Sequence, residues 1–294
     1  MYELIQVSEN DYYFQCPAKI GLVRVSGDEV VLIDSGNDKD AGKKVLKLLN
    51  SRGWRLRAIY NTHSHADHIG GNRYLQDQTG CAIYAPAIES GFTNHPLLEP
   101  AFLFGACPPS DLRHKFLMAK ESASSPLNDG ALPDGMTAIP LPGHSFGMVG
   151  YRTQEGTVYL ADCLSSQDTL EKYQISFLVD VKAYLETLEA VKVMDGGAFV
   201  PSHADASPRI ADLAQRNIDK VREIADQIIR LCAEPRTFES ILQALFTQYG
   251  LTMTFEQFAL VGSTVRSYLA WLKDTGYLQA IFEDNLLLWV NHVE

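Results

Sequence analysis

The stretch NTHSHADHIGGN, residues 61–72, restricts the fold of this chain more than any other. It places three of the eight histidines and an aspartate within six positions, directly after the apolar run RAIY. Residues two apart in an extended backbone point the same way, so His63 and His65 can hold one metal ion at the end of a strand. Asp67 and His68 lie one turn further on and can serve a second ion. The pattern therefore predicts a strand that ends in a metal site.

Two glycines and three distant residues extend this pattern. Gly70 and Gly71 allow a tight backbone where the following helix passes the site. His144, Asp162 and His203 stand in LPGHS, VYLAD and AFVPSH, at the ends of apolar, strand-like runs. Strand ends along one sheet edge are where α/β proteins gather their sites. Imidazole and carboxylate donors suit Zn²⁺, Fe or Mn²⁺, with zinc the default, so these residues predict a centre for divalent metal.

Up to about residue 207 the chain alternates strand and helix patterns. Branched apolar runs predict strands at 20–26 and 29–34 joined by the turn SGDE, and apolar spacing predicts a helix at 39–52. A second helix is predicted at about 181–194. The remaining strand patterns are RAIYNT, CAIYAP, MTAIPLPGHS, MVGYRT, GTVYLADCL and GAFVPSHAD. This alternation predicts an α/β layered fold.

Residues 87–135 interrupt the alternation and contain six prolines. A connection of this length is typical of a lid, a binding loop or an oligomer contact. Residues 110–122 within it have a helix-like pattern. The apolar side chains of this insert either line a pocket, form a homodimer contact or pack the insert onto the domain. They are Phe102, Phe104, Phe116 and Leu117.

The chain after about residue 208 is helical in pattern and ends in a hairpin pattern around EDN. TFESILQALFTQYG predicts a helix capped by Thr237 and stopped by Gly250, and TFEQFALVGSTVRSYLAWLKDTG predicts one or two more. This order resembles a winged helix, so we predict a helical, winged-helix-like domain at 213–294 after a catalytic domain at 1–212. Residues 217–294 hold six Lys or Arg and ten Asp or Glu. Because phosphate binding needs clustered basic charge, we expect intramolecular packing or dimerisation rather than DNA binding.

The composition of the chain indicates which kinds of partner it binds and in which compartment it works. The net charge is −11, from 25 basic and 36 acidic residues, which disfavours nucleic acid and anionic membranes as partners. The five cysteines are scattered and form no CxxC pair, as expected of reduced thiols. The first residues lack a basic stretch followed by an apolar run, and no apolar run approaches the ~20 residues needed to span a bilayer. We therefore expect a cytoplasmic protein that acts on a small molecule.

Four short motifs together resemble the metallo-β-lactamase fold superfamily of hydrolases over about residues 12–205. They are THSHADH for the His-x-His-x-Asp-His motif, PGHS, LADC and PSHA, with VVLIDSG as the preceding strand. The resemblance implies a four-layer αβ/βα sandwich with two divalent metals at one edge. It assigns the first metal to His63, His65 and His144, the second to Asp67, His68 and His203, and the bridge to Asp162. Asp34 resembles the family's outer aspartate that orients a ligand histidine, or is a turn carboxylate.

Two departures from the family pattern bear on the substrate. The last histidine stands in PSHAD, without the usual flanking glycines, which alters the loop beside the substrate. Cys163 follows Asp162, whereas the antibiotic-cleaving enzymes carry a cysteine ligand in place of the bridging aspartate. We therefore expect Cys163 to be a packed thiol. This departure argues against a dedicated antibiotic β-lactamase.

The implied chemistry is attack by a metal-bound hydroxide on a carbonyl or phosphoryl centre, with Asp67 holding the nucleophile's proton. GHSFGMVGYRT and GTVYLADCL resemble the glyoxalase II-like and lactonase-like branches, so we expect a small ester, thioester or lactone as substrate. Basic residues that would bind a glutathione carboxylate are not found in the helical part. The alternatives are a nuclease of the same superfamily, a single-iron dioxygenase and a non-hydrolytic regulator whose winged helix recognises DNA.

Overall fold

The computed structural model describes residues 2–128 and 130–292. Its first sheet has seven strands that lie side by side in chain order. The first four strands are antiparallel and the last three continue in parallel. The strands are β1 (Glu3–Gln6), β2 (Asp11–Gln15), β3 (Ile20–Ser26), β4 (Glu29–Ile33), β5 (Arg55–Tyr60), β6 (Ala82–Ala85) and β7 (Ser125–Pro126). The predicted SGDE hairpin is confirmed, with Gly27 at a positive φ of 55° in the turn.

The second sheet has four strands in the order β11-β10-β9-β8. They are β8 (Thr137–Pro140), β9 (Val149–Arg152), β10 (Thr157–Ser165) and β11 (Ala198–His203). The two sheets share one apolar cluster, in which Val31 and Tyr60 of the first sheet pack with Tyr151 and Tyr159 of the second. The Tyr159 hydroxyl also donates to the carbonyl of Tyr12 across the interface, at 2.8 Å. The sheets therefore pack face to face.

Helices cover the outer faces of both sheets. Before the C-terminal part they are α1 (Lys39–Arg52), α2 (Ala66–Ile69), α3 (Asn72–Thr79), α4 (Ala87–Asn94), α5 (Leu98–Phe104), α6 (Gln167–Tyr173) and α7 (Val181–Lys192). α1 begins where the Asp38 carboxylate accepts from two backbone N–H groups and ends at Gly53 in the left-handed region. Val45 and Leu49 of α1 pack in an apolar cluster with the first sheet, and α7 packs on the second. The predicted four-layer αβ/βα sandwich is confirmed.

The C-terminal part consists of α8 (Ala211–Leu231), α9 (Phe238–Gln248), α10 (Phe255–Asp274) and the hairpin β12 (Leu278–Glu283) and β13 (Leu286–Asn291). The Thr237 cap is confirmed, and Asp284 and Asn285 take the positive φ values of the predicted hairpin turn. One apolar core runs from β10 through α7 and α8 to α9 and α10. The boundary predicted after residue 212 falls in the first turn of α8 and stays a prediction.

The first part of the insert at 87–135 forms regular secondary structure. It supplies α4, α5, a single 3₁₀ turn at Ser110–Leu112 and β7, which joins the edge of the first sheet. The prediction of a helix at 110–122 is wrong, because the segment is not helical after that turn. Leu112 is fully buried whereas Phe116, four residues on, is 69% exposed, so the segment lacks the one-sided apolar stripe that would hold a helix against the core. Within the residues described, no helix has the length and apolar character required to cross a membrane.

The glycine pair after the histidine cluster is packed against the chain that leaves β4. A Cβ on Gly71 would lie 2.3 Å from the carbonyl oxygen of Ser35, and one on Gly70 would lie 2.4 Å from the carbonyl of Asn37. The predicted close approach is therefore present, but the neighbour is the 35–37 segment. This contact seats α2 and α3 beside the end of β4.

We expect Gly71→Ala to lower the free energy of unfolding by about 1–3 kcal/mol, because the backbone must move to admit the methyl group. Gly91→Ala in α4 is the matched control, since its Cβ would meet no atom within 4 Å. That control should be stabilised by about 0.5–1 kcal/mol through helix propensity. Urea denaturation of both variants at one fixed metal concentration measures the difference. Equal stability of Gly71→Ala and the parent chain would contradict the packing argument.

Candidate metal centre

The histidine cluster begins where β5 leaves the first sheet. His63 is fully buried, and His65 lies in extended conformation just before α2. His63 Nε2 and His144 Nε2 each lie 3.0 Å from His65 Nδ1. His144 comes from the loop that follows β8 in the second sheet. We call these three residues the first ligand group.

A second ligand group lies beside the first. It consists of Asp67, His68, Asp162 and His203, whose donor atoms lie within 4.8 Å of one another. His203 Nε2 lies 3.1 Å from Asp162 Oδ2 and 3.3 Å from Asp67 Oδ2, and His68 Nε2 lies 3.0 Å from Asp162 Oδ1. Asp67 and His68 follow the first sheet, whereas Asp162 and His203 belong to β10 and β11. Each group thus takes its donors from both sheets.

Asp162 lies between the two groups. Its Oδ2 is 3.5 Å from His144 Nε2 of the first group and 3.1 Å from His203 Nε2 of the second. The backbone positions it through a register shift on either side of Ala161, which itself has a positive φ of 51°. The structure therefore brings together all seven residues that the sequence singled out as ligands, with Asp162 in the shared position.

The seven residues fit divalent metal. The buried atoms His68 Nε2 and Asp162 Oδ1 lie 3.0 Å apart but are not aligned for a hydrogen bond, and within the described part of the chain neither has another hydrogen-bond partner. The ring nitrogens of the first group face one another at 3.0 Å. Nitrogens that share a tetrahedral ion with bonds of about 2.0–2.1 Å lie only slightly further apart, at about 3.3 Å. Nitrogen and carboxylate donors suit Zn²⁺, Fe or Mn²⁺.

Burial and neighbouring charges set the protonation of these donors. Burial lowers the pKa of His65 and of His144 to about 4 and that of His63 well below its usual value. These rings are therefore neutral near pH 7 and offer free lone pairs. Partial desolvation opposes ionisation of Asp67, whose side chain is still 43% exposed, but the facing His68 lowers its pKa to about 2. The Asp162 carboxylate in turn raises the pKa of His203 to about 10. The second ligand group, with its ionised carboxylates and its protonated His203, thus carries more charged side chains than the first ligand group.

Asp34 and Thr62 hold two of the histidines by their outer nitrogens. Asp34 Oδ2 is 2.8 Å from His68 Nδ1, and its carboxylate also accepts from the Thr62 backbone and hydroxyl, both at 2.8 Å. The Thr62 hydroxyl lies 2.9 Å from His63 Nδ1. Each inner Nε2 is thereby turned toward the centre. Asp34 can reach both partners because it leaves β4 with a positive φ of 64°.

The other two inward-facing rings are held by backbone. His144 Nδ1 lies 3.0 Å from the carbonyl of Phe177, and His203 Nδ1 lies 3.0 Å from that of Pro17. The Phe177 ring meets the rings of His65 and His144 edge-on, with centroids 5.2 and 5.7 Å away. These partners fix the ring orientation without adding charge. Sequence reasoning did not find Phe177 or Pro17, since a carbonyl partner has no residue-type signal.

Sequence reasoning also missed two carboxylates of the insert. Glu89 in α4 is 1% exposed and accepts from Ser64 backbone and hydroxyl, Ser145 hydroxyl and Gly147 backbone, at 2.6–3.0 Å. It therefore ties the loop of His63 and His65 to the loop of His144. Glu99 in α5 lies with Oε1 3.6 Å from His65 Nε2, and burial raises its pKa to about 8. Neither glutamate stands in a sequence motif, so the sequence did not indicate the hydrogen bonds of Glu89 or the contact of Glu99 with His65.

A pocket of about 210 Å³ opens directly on the centre at His144, Asp162 and His203. Its other walls come from the 165–177 segment, from Tyr184 of α7 and from α10. A larger groove of about 770 Å³ lies between α5 and α10 and is lined in part by Phe102 and Phe104, but by none of the seven ligand residues. Phe116 lies apart from both cavities and is exposed. The small pocket is therefore the one placed for chemistry at the centre.

The chain is similar in sequence to known metallo-hydrolases. A sequence model described as the metallo-beta-lactamase superfamily matches residues 14–203. A hydroxyacylglutathione hydrolase of Methylobacillus flagellatus is 30% identical over 121 residues, which are 41% of this chain and 38% of that protein. A probable metallo-hydrolase of Bacillus subtilis is 28% identical over 163 residues, which are 52% and 59% of the two chains. These matches span less than two thirds of the relatives' own length.

Two solved structures share the fold along nearly the whole chain. A beta-lactamase domain protein from Burkholderia ambifaria superposes with a TM-score of 0.71 at 17% identity, over 98% of this chain and 93% of that one. A metallo-beta-lactamase family protein from Thermus thermophilus superposes with a TM-score of 0.72 at 16% identity, over 98% and 97%. At such identities the likeness concerns the fold alone, and its coverage includes the C-terminal helices.

Proposed function

This chain belongs to the metallo-beta-lactamase superfamily, and on that premise we propose that it is a dinuclear metal-dependent hydrolase of a small ester, thioester or lactone. The observation that carries the proposal is the pair of ligand groups joined at Asp162. Two divalent ions, most simply Zn²⁺ and otherwise Fe or Mn²⁺, would supply Lewis acidity that activates water and polarises a substrate carbonyl. The chain's own residues would hold the ions and orient the attacking water.

Asp67 is the residue of the centre best placed to handle a proton. Its side chain is 43% exposed, whereas that of Asp162 is 9% exposed. The low pKa of Asp67 keeps it ionised near neutral pH, so it can accept a hydrogen bond from an attacking water and orient it. The rings of His65 and His144 stay neutral, so their lone pairs are free to bind a metal ion. The Phe177 ring shields both of them from solvent. No Ser or Cys nucleophile is required in this scheme.

The packing of α10 supports a small-molecule substrate over a nucleic acid. α10 would be the recognition helix of a winged helix, but its Thr264 hydroxyl accepts from the backbone of Leu178 and its Ser267 hydroxyl donates to the carbonyl of Val179. This face is occupied by the catalytic part of the chain. The basic residues on the outer face are Arg266 and Lys273, and Arg266 lies over the Phe238 ring. We propose a role in packing for this region; the homodimer contact remains an expectation.

Metal content and a substrate panel test the proposal together. We expect protein grown with ample Zn²⁺, Fe or Mn²⁺ to hold about two ions per chain by mass spectrometry. The same protein should hydrolyse members of an ester, thioester and lactone panel, and chelation should remove the activity until metal is restored. Fewer than one ion per chain in metal-replete protein would overturn the dinuclear proposal. A fully loaded protein inactive on the whole panel, phosphodiesters included, would favour a ligand-sensing regulator.

A further inference from the structure

The pocket beside the metal centre is built by two parts of the chain that lie far apart in sequence. One wall is the 173–177 segment, with Ile175 and Phe177 facing the opening. The opposite wall is the N-terminal half of α10, with Gln257, Leu260 and Val261. The Thr264 hydroxyl accepts from the Leu178 N–H and the Ser267 hydroxyl donates to the Val179 carbonyl, and these two hydrogen bonds fix this helix against the first wall. The last third of the chain therefore forms part of the substrate site.

The charge of the pocket lining is unusual for a site that would bind an anion. Among the described residues that line it, the titratable groups at the centre are His144, Asp162 and His203, and neither Lys nor Arg is present. The other polar groups are neutral. They are hydroxyls and one amide, from Ser165, Thr169, Tyr173, Ser176, Tyr184, Gln257 and Thr264. Lys172 precedes the lining residue Tyr173, and its ammonium lies over the Tyr173 ring, 4.7 Å from the centroid, rather than in the lining.

Carboxylates and phosphates of ligands are usually bound by Arg or Lys with charge-assisted hydrogen bonds. Away from the metal ligands, a carboxylate drawn into this pocket would lose water and meet apolar side chains and neutral polar groups instead. The pocket is also small: about 210 Å³ is room for roughly seven groups of the size of a water molecule. A compact uncharged group fits both its volume and its lining.

We infer that this pocket selects an uncharged, compact and partly apolar acyl or leaving group, and that Leu260 and Gln257 of α10 set this preference. The inference rests on the proposed hydrolase function and narrows its substrate class. It sets the chain apart from a thioesterase that depends on an anionic glutathione conjugate. Leu260 supplies apolar contact, and Gln257 supplies a neutral hydrogen-bonding group at the opening.

Two thioesters of nearly equal size test the charge preference. S-butyryl-N-acetylcysteamine is neutral, whereas S-butyryl-3-mercaptopropionate carries one carboxylate beside the same reactive bond. We expect kcat/KM to favour the neutral compound by about tenfold or more, and S-butyrylglutathione to be a poor substrate. If the metal-loaded protein hydrolyses none of these thioesters and no other ester or lactone, the proposed function fails. If it hydrolyses the anionic compounds as fast as the neutral one, this inference alone is overturned.

Variants of α10 test the part played by that helix. Leu260→Lys brings a cation into the pocket, and we expect it to shift the neutral-to-anionic ratio of kcat/KM by about tenfold toward the anionic thioester. Ala270→Lys makes the same charge change on the exposed face of α10 and should leave the ratio unchanged. An unchanged ratio in folded Leu260→Lys protein would overturn the role of the helix. If Leu260→Lys does not fold, Gln257→Lys at the half-exposed opening carries the same comparison and the same criterion.

Discussion

Replacing Asp162 by asparagine should lower the metal content and reduce kcat/KM by more than about 100-fold. Asp162 reaches His144 of the first ligand group and His68 and His203 of the second, so among the described residues it is the carboxylate that lies within 3.5 Å of histidines of both groups. Loss of an outer partner of a metal ligand typically costs about 10–100-fold in affinity or activity, and loss of a shared ligand should cost more. Asparagine keeps the size of the side chain but removes its charge. Mass spectrometry and kinetics on the best substrate of the panel measure the effect.

The adjacent residue provides a matched control. Cys163 is fully buried in the apolar core, and burial raises the pKa of its thiol, which disfavours a thiolate ligand. Cys163→Ala should keep the wild-type metal content and cost about 1 kcal/mol of stability through the small cavity. Loss of metal in Cys163→Ala would assign the cysteine a place in the centre. Wild-type metal content and rate in Asp162→Asn would refute the bridging role of Asp162.

Glu89→Ala should lower the free energy of unfolding by about 3 kcal/mol or more, because each buried donor left without a partner costs about 1–3 kcal/mol. Four donors would be left, from Ser64, Ser145 and Gly147. Since these donors lie on the two loops that carry the first ligand group, metal retention should fall as well. Urea denaturation and metal analysis after dialysis report the two effects separately.

Two further variants define what Glu89 does. Glu89→Gln keeps one acceptor oxygen but turns an amide donor toward other donors, so its loss of stability should fall between those of the alanine variant and the parent. Glu121→Ala removes an exposed carboxylate of the same insert and should change stability by about 0.5 kcal/mol or less. If Glu89→Ala proves as stable as Glu121→Ala, the four hydrogen bonds do not hold the loops together.

Much of the metal centre could be predicted because its signals are local. His63, His65, Asp67 and His68 are close in sequence, and Asp162 and His203 each end an apolar run that predicted a buried strand. Parallel strand ends meet at one sheet edge, so these runs also predicted where the ligands gather. The positions of most strands along the chain, the cap at Thr237 and the turn around EDN follow from equally local patterns.

The supporting residues could not be predicted, because their meaning depends on contacts across long separations. Glu89 is an ordinary helix glutamate until the fold places it against partners that are 25 residues (Ser64) and 56 residues (Ser145) away in sequence. The apolar spacing of α10 likewise indicates that a face is buried, but not that this face meets the 175–179 segment beside the metal centre. The helix predicted at 110–122 failed for a related reason, since helix propensity was not supported by a surface to pack on.

The division of each ligand group between the two sheets has a mechanical consequence. An ion shared by His65 and His144 would act as a cross-link that closes a loop of 79 residues. By analogy with a disulfide, closing a loop of that length restricts the unfolded chain by roughly 4–5 kcal/mol in the chain-entropy description. Departure of the ion requires bonds to both sheets to break, so metal exchange and local separation of the two halves become one process. The centre would then serve as a reversible cross-link between the two sheets of the sandwich as well as a site for chemistry.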